Sequence, residues 1–367
     1  MVKNNFHIFQ KFFKGKKIII TGHTGFKGSW LSLWLSLYDT KILGISNGYP
    51  CKPNMFQALN LKKKIKHKII DIRNLKLLKK EILKFQPDII FHLAAQAIVK
   101  KSYDDPATNW QTNTIGSINI LESLRYLKKK CVGVIVTSDK SYLNLEVKRG
   151  YVENDILGGD DPYSASKAAA ELAFKSYVKS FFSNKNNKIF LSSVRAGNVI
   201  GGGDWSDHRL IPDCIKSWSK NNPVQIRNPN STRPWQHVLE AIYGYLVLAT
   251  NLSKNKKIHG ESFNFGPNAN NNYKVVELVN EMSGYWKNIK WKINKKKNSK
   301  FKEAKLLKIN SNKAKRALKW NCIMNFRDTA KLVSEWYRNY YIKKVNNSVF
   351  TINQIKFYIN KLKNLNQ

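Results

Sequence analysis

Three glycines between a short apolar run and a helical pattern constrain this chain more than any other feature in it. Ile18, Ile19 and Ile20 read as a buried strand, and Ser29-Trp30-Leu31-Ser32-Leu33-Trp34-Leu35 as a helix packed on a sheet. Between them runs Thr21-Gly22-His23-Thr24-Gly25-Phe26-Lys27-Gly28. Glycines at such a junction let the backbone turn tightly and approach a pyrophosphate, whose charge then rests against the helix N-terminus. The spacing is G-x-x-G-x-x-G, not the G-x-G-x-x-G of ordinary dinucleotide folds. Gly22, Thr24, Gly25, Phe26, Lys27 and Gly28 are therefore expected to cradle a dinucleotide.

Strand and helix patterns alternate after this turn. Apolar runs recur at 41–46, 69–72, 89–93, 132–137 and 189–194, with helical patterns between them at 74–85, where Asn74 is the expected N-cap, and at 111–127. This alternation predicts an α/β fold, a Rossmann-type doubly wound parallel sheet, with ligands beyond the carboxyl ends of its strands. Beyond Arg195 the pattern loosens into loops rich in Gly, Asn and Pro, which predicts a smaller C-terminal lobe. The expected division is 1–195 for the dinucleotide domain, 196–345 for a lobe partly interleaved with it, and 346–367 for a tail. Residues 294–300 are expected to form a solvated loop.

Composition excludes several classes. Apolar content of 42% suits a globular protein. No apolar run reaches the ~20 residues of a membrane span, and the N-terminal segment lacks a signal-peptide core, so a cytoplasmic enzyme without membrane association is expected. Four scattered cysteines and seven dispersed histidines form no metal-ligand spacing, so no metal is expected. The formal charge of +40 raises nucleic-acid binding. However, the lysine runs at 62–64, 128–130 and 295–297 are short, separate and free of interleaved aromatics, and no nucleic-acid partner is expected.

Chemistry concentrates at two places. The fifth strand ends in Thr137-Ser138-Asp139-Lys140, and a helix over 162–182 opens with Tyr163-Ser164-Ala165-Ser166-Lys167. Tyr163 and Lys167 are four apart and share a face. An ammonium beside a phenol stabilises the phenolate and fits it for acid/base work near neutrality. Leu93-Ala94-Ala95-Gln96 after the fourth strand and Asn113 on the next helix complete the pattern.

On these residues the chain resembles the extended short-chain dehydrogenase/reductase family of nucleotide-sugar enzymes, from about residue 12 to about 341. The most specific stretches are TGHTGFKGSWL (21–31), TSDK (137–140), DPYSASKAAAE (161–171), RAGNVIGGGDW (195–205) and IRNPNSTRPWQHVLE (226–240). They are similar to the 4,6-dehydratase branch, and the substrate the resemblance implies is CDP-glucose. A 4-epimerase, or a dehydratase acting on another nucleotide hexose, is the alternative. The implied reaction oxidises the sugar at C4, eliminates water across C5 and C6, and returns the hydride to C6. Tyr163 and Lys167 would act beside a tightly held, regenerated NAD; Ser138 would hydrogen-bond the C4 oxygen, and Asp139 would protonate the departing C6 hydroxyl.

Lys140 departs from relatives that carry a glutamate base there. A lysine at its ordinary pKa is only ~0.04% neutral at pH 7, so Lys140 either takes the C5 proton after losing its own or stays charged and stabilises the enolate. The resemblance also implies cofactor contacts from Asp71 and Ile72 at the end of strand three and from Leu93, Ala94, Ala95 and Gln96. It implies substrate contacts from Asn113, Asn198, Arg227 and Arg233. Strand two ends in Ser46-Asn47-Gly48, without the carboxylate that normally selects NAD over NADP. His92 and His237 are expected to be structural. Relatives pair through two long helices, so a homodimer or homotetramer is expected.

Overall fold

The computed structural model describes residues 5–226, 228–267, 272–286, 291–293 and 306–364. Arg227 and the expected loop at 294–300 lie outside the described residues. Seven strands form one parallel sheet: β1 (Lys17–Thr21), β2 (Lys41–Ser46), β3 (Lys66–Ile69), β4 (Ile89–His92), β5 (Cys131–Val136), β6 (Ile189–Ala196) and β7 (Ser262–Phe265). Their order across the sheet is β7-β6-β5-β4-β1-β2-β3. The order reverses between β1 and β4, which makes the gap beyond their carboxyl ends the natural ligand crevice.

The helices that matter to the site are α1 (Phe26–Ser36), α2 (Leu75–Phe85), α3 (Gly116–Leu124), α4 (Pro162–Phe181), α5 (Val238–Leu252), α6 (Phe326–Arg338) and α7 (Asn347–Asn364). Side chains of α2, α3 and α4 fill one core between themselves and the sheet. On the other face α1 and α5 meet the sheet and α7 backs α1. Residues 28–35 of α1 are consequently buried on every side. Each such Leu contributes roughly 1.5–3 kcal/mol, which anchors the turn at the start of the helix.

Two expectations need correction. Strand three lies at Lys66–Ile69, not 69–72; it is the sheet edge, and alternate lysines lower its apolar signal there. Ile70 still donates its N–H to Ser46 (2.8 Å), after which the chain turns away. The helix expected at 111–127 begins earlier, as Pro106–Trp110 capped by Asp105, widens into a π-turn over Gln111–Ile115, and ends at Leu124. The N-cap at Asn74 is present, its side chain accepting from the Leu77 N–H.

Beyond β6 lie short strand pairs, Val199–Ile200 with Gln236–His237 and Thr232–Arg233 with Tyr273–Lys274, and the helix Leu210–Trp218. Later in the chain α5 packs on the main sheet and β7 joins it beside β6. The tail is helical and fastened: Tyr358 on α7 donates to Glu240 Oε2 (2.7 Å) while Oε1 accepts the N–H groups of Ile323 and Met324. Burial pushes the Glu240 carboxyl up to about 7.

Candidate active site

Gly22 adopts φ +72°, and a Cβ on it would sit 2.7 Å from the Ala94 nitrogen. At Gly28 a Cβ would come within 2.2 Å of the Gly22 oxygen. Only glycine allows the β1 turn, the β4 segment and the start of α1 to approach this closely. Gly25 is the N-cap of α1 and offers no side-chain cap, so the first N–H groups of the helix are left for an anion. Thr24 Oγ1 donates to the Gly48 carbonyl (2.6 Å), tying this turn to the end of β2. Phe26 and Lys27 are half-buried at the mouth, with Lys27 Nζ 3.4 Å from the Tyr245 hydroxyl. The cradle fits a dinucleotide pyrophosphate.

The histidines of this region serve structure. His23 gives its carbonyl to Ser29 Oγ and its ring to His67 Nδ1 (2.6 Å), and burial lowers its pKa to about 4. His92 bridges Thr21 Oγ1 (2.7 Å) and Ser117 Oγ (3.1 Å), and burial lowers it to about 3. His237 is buried at the start of α5, where its Nδ1 accepts the Leu239 N–H.

Asp71 lies two residues past β3, not at its end. Arg73 grips its carboxylate through Nε and Nη2 (3.0 and 2.7 Å to Oδ2), and these bonds hold it below the usual carboxylate range. Asp71, Arg73 and Gln111 line a shallow cleft. Ile72 is buried, its Cδ1 packed against Gly116.

At the end of β5, Ser138 and Asp139 are each 6% exposed and Lys140 is half-exposed. Ser138 Oγ accepts the Lys140 N–H (3.2 Å) and donates to Asp139 Oδ1 (3.1 Å). Gly197, just past β6, lets Asp139 fit: a Cβ there would lie 1.7 Å from its Oδ2. Asp161 caps α4 by accepting the Ser164 N–H, and Pro162 fixes its first turn. Tyr163 thus lies near Ser138, whose hydroxyl acts to lower the pKa of the phenol.

The electrostatics differ from the expectation that Lys167 depresses the Tyr163 pKa. Burial dominates, and the phenol is raised despite the opposing effect of Ser138. Lys167, 3% exposed, is pulled down to about 7 by burial first and then by the Lys27 ammonium. Lys27 falls to about 8, chiefly by burial and the Arg209 charge. Two poorly solvated cations within electrostatic reach of each other favour an anion nearby.

Asn113 is not available to a substrate. It is fully buried at the π-turn, its Oδ1 accepting the Gln96 N–H (2.9 Å) and its Nδ2 donating to the Gln96 carbonyl and Ser166 Oγ (3.1 and 3.0 Å). It holds the β4 segment Leu93-Ala94-Ala95-Gln96 against α4. Asn198 adopts φ +51° beside Gly197, at the rim of Asp139, and its carbonyl accepts the Gln236 N–H. Arg233 lies in the lobe on the strand paired with Tyr273, its Nη1 donating to the Thr232 carbonyl.

Arg209 is a functional candidate that sequence reasoning missed. Its Nη1 donates to Asp204 Oδ2 (2.7 Å), and its charge acts on both Tyr163 and Lys27. Asp204 stands in the RAGNVIGGGDW stretch, but Arg209 carries no local signal.

A family model described as GDP-mannose 4,6 dehydratase matches residues 19–333. The chain is 40% identical to CDP-glucose 4,6-dehydratase of Salmonella typhimurium, over 90% of this chain and 92% of that one. It is 27% identical to CDP-paratose 2-epimerase of Salmonella typhi, over 73% and 84% of the two chains. Among solved structures, the fold is shared with DesIV, the dTDP-glucose 4,6-dehydratase of Streptomyces venezuelae with NAD bound. There the TM-score is 0.72 at 19% identity, covering 88% of this chain and 97% of that one. UDP-glucuronic acid 4-epimerase of Bacillus cereus, in complex with NAD, gives a TM-score of 0.73 at 21% identity, covering 89% and 100%.

Proposed function

We propose that this chain, which belongs to the GDP-mannose 4,6-dehydratase family, converts CDP-D-glucose to CDP-4-dehydro-6-deoxy-D-glucose and water. One observation carries the reading: the buried Tyr163 lies within electrostatic reach of Ser138 and Asp139 at the end of β5, with Lys167 one turn on along α4 and Lys27 within reach of both Lys167 and Asp139. An epimerase needs the phenol and the crevice but has no use for the Asp139-Lys140 pair.

The turn from Gly22 to Gly28 and residues 93–96 would hold NAD tightly, and when bound it would supply the hydride acceptor and donor and be regenerated each cycle. Tyr163 takes the proton of the C4 hydroxyl, and Ser138 bonds the C4 oxygen. Once C4 is a ketone the C5 proton is acidic. Asp139 delivers a proton to the C6 hydroxyl, which departs as water. Lys140 serves the C5 step, as the base or as the cation that steadies the enolate. Asn198 and Arg233, with Arg227 beyond the described residues, are assigned to the substrate diphosphate, for which guanidinium forks are suited. Asn113 is assigned a positioning role.

The protein is proposed to work in the cytoplasm; among the described residues no helix is long and apolar enough to cross a membrane. Assembly as a homodimer or homotetramer is proposed through α4 and the helical stretch 106–124, where Leu172, Phe181, Trp110 and Ile115 are exposed.

Incubating the purified protein with CDP-glucose, dTDP-glucose, UDP-glucose and GDP-mannose, with product masses read, tests the function. A 4-keto-6-deoxy sugar lighter by one water is expected from CDP-glucose in preference to the others. A C4-inverted hexose of unchanged mass would instead make this protein an epimerase.

A further inference from the structure

Behind the reacting groups lies a polar network that the reaction does not consume. Glu171 and Arg195 are both fully buried and form a two-pronged pair, Nε to Oε1 at 3.0 Å and Nη2 to Oε2 at 2.9 Å. Glu171 stands on α4 one turn past Lys167 and two past Tyr163, so the three share a face. Its Oε1 also accepts the hydroxyl of Thr137, the residue immediately before Ser138. Ser193 Oγ on β6 donates to Oε2 (2.8 Å), and Ser262 Oγ on β7 lies 3.2 Å from it. Arg195 continues outward from Nη1 to the Tyr142 hydroxyl (2.8 Å) and the Glu153 carbonyl (3.1 Å). The two elements that carry the chemistry, the end of β5 and the face of α4, therefore meet on one carboxylate.

A buried ion pair is a poor means of stabilising a core, since apolar side chains of similar volume often do as well or better. Its advantage is directional. Two parallel charge-assisted bonds, with hydroxyls on the remaining lone pairs, admit a single geometry. We propose that the Glu171–Arg195 pair is the positioning element of the catalytic centre, locking Thr137 and the Ser138-Asp139-Lys140 segment in register with Tyr163 and Lys167. The proposal rests on the dehydratase reading for its kinetic arm only.

The pair also acts through charge. Lys27 from α1 and Glu171 on its own helix act on Lys167, whose charge in turn reaches the neutral His92 from β4; Tyr163 shares its helix face by spacing. Glu171 is the one among them that favours the ammonium. Removing its charge lowers the Lys167 pKa further, so the ammonium is lost at a lower pH.

The test compares wild type, Glu171→Gln and Thr137→Val as nucleotide-loaded full-length proteins. Glu171→Gln is expected to lower kcat about 10²-fold, the cost of a small misplacement, with KM for CDP-glucose little changed. Its alkaline limb should move to lower pH. Competitive acetylation of Lys167, followed by mass spectrometry in the absence of sugar, should show the same displacement. Thr137→Val cuts the tie to the strand end but leaves the charge, so kcat should fall while the Lys167 titration stays in place. A folded Glu171→Gln with wild-type kcat and wild-type Lys167 titration overturns the proposal. If Glu171→Gln does not fold, wild-type kcat in Thr137→Val overturns it and a reduced kcat at unchanged KM supports it. Should wild type prove inactive on every sugar, the Lys167 titration alone decides: displaced in Glu171→Gln it supports the proposal, and unmoved it overturns it.

Discussion

Tyr163→Phe is expected to lower turnover of CDP-glucose about 10³-fold, within the range typical of a lost general acid/base. The ring is 8% exposed and phenylalanine keeps its packing, so folding and KM should hold while kcat falls. What disappears is the hydroxyl near Ser138 that is proposed to receive the C4 proton. Because burial raises the phenol in this structure, the proton transfer depends on what enters the crevice beside Lys27 and Lys167. Steady-state kinetics with an unfolding scan on the same preparation check this. A variant with turnover within a few-fold of wild type would remove Tyr163 from the chemistry.

Lys140→Met separates the two halves of the reaction. Tyr163 and Ser138 remain, so C4 oxidation should proceed, and its first turnover is readable as a rise in reduced-nicotinamide absorbance. Exchange of the C5 proton with deuterated solvent should be lost and no 4-keto-6-deoxy product should form. The side chain is half-exposed and its backbone N–H, which caps onto Ser138, is untouched by the substitution. Little stability is therefore at stake. Undiminished C5 exchange would exclude Lys140 from the elimination under either of its two assignments.

The sheet was legible wherever its strands are buried on both faces. β2 matches its apolar run residue for residue, and β4, β5 and β6 differ only at their ends. β3 was displaced because an edge strand wears lysine, and Ile69, Ile70 and Ile72 outweighed Lys66 and Lys68 in the pattern. β7 was not foreseen: four residues, Ser262–Phe265, give no periodicity, and its place beside β6 is set by chain more than sixty residues earlier.

The site followed the same division. The glycine turn and the Tyr163/Lys167 face are local features and were readable. Asn113 was not, since its partners are the Gln96 backbone and Ser166, 17 and 53 residues away. The raised Tyr163 pKa is a property of burial, which no four-residue spacing reports. Glu171 and Arg195 each stand in a quoted motif, yet nothing in either motif says that they bond to each other.

The most direct measurement supplies wild-type protein with CDP-[4-²H]glucose in ordinary water and locates the label by NMR. Deuterium in the C6 methyl group of a 4-keto-6-deoxy product is predicted, because the hydrogen removed at C4 is returned within the same site. Label washed into solvent, or retained at C4 of a hexose that has lost no water, would contradict the account.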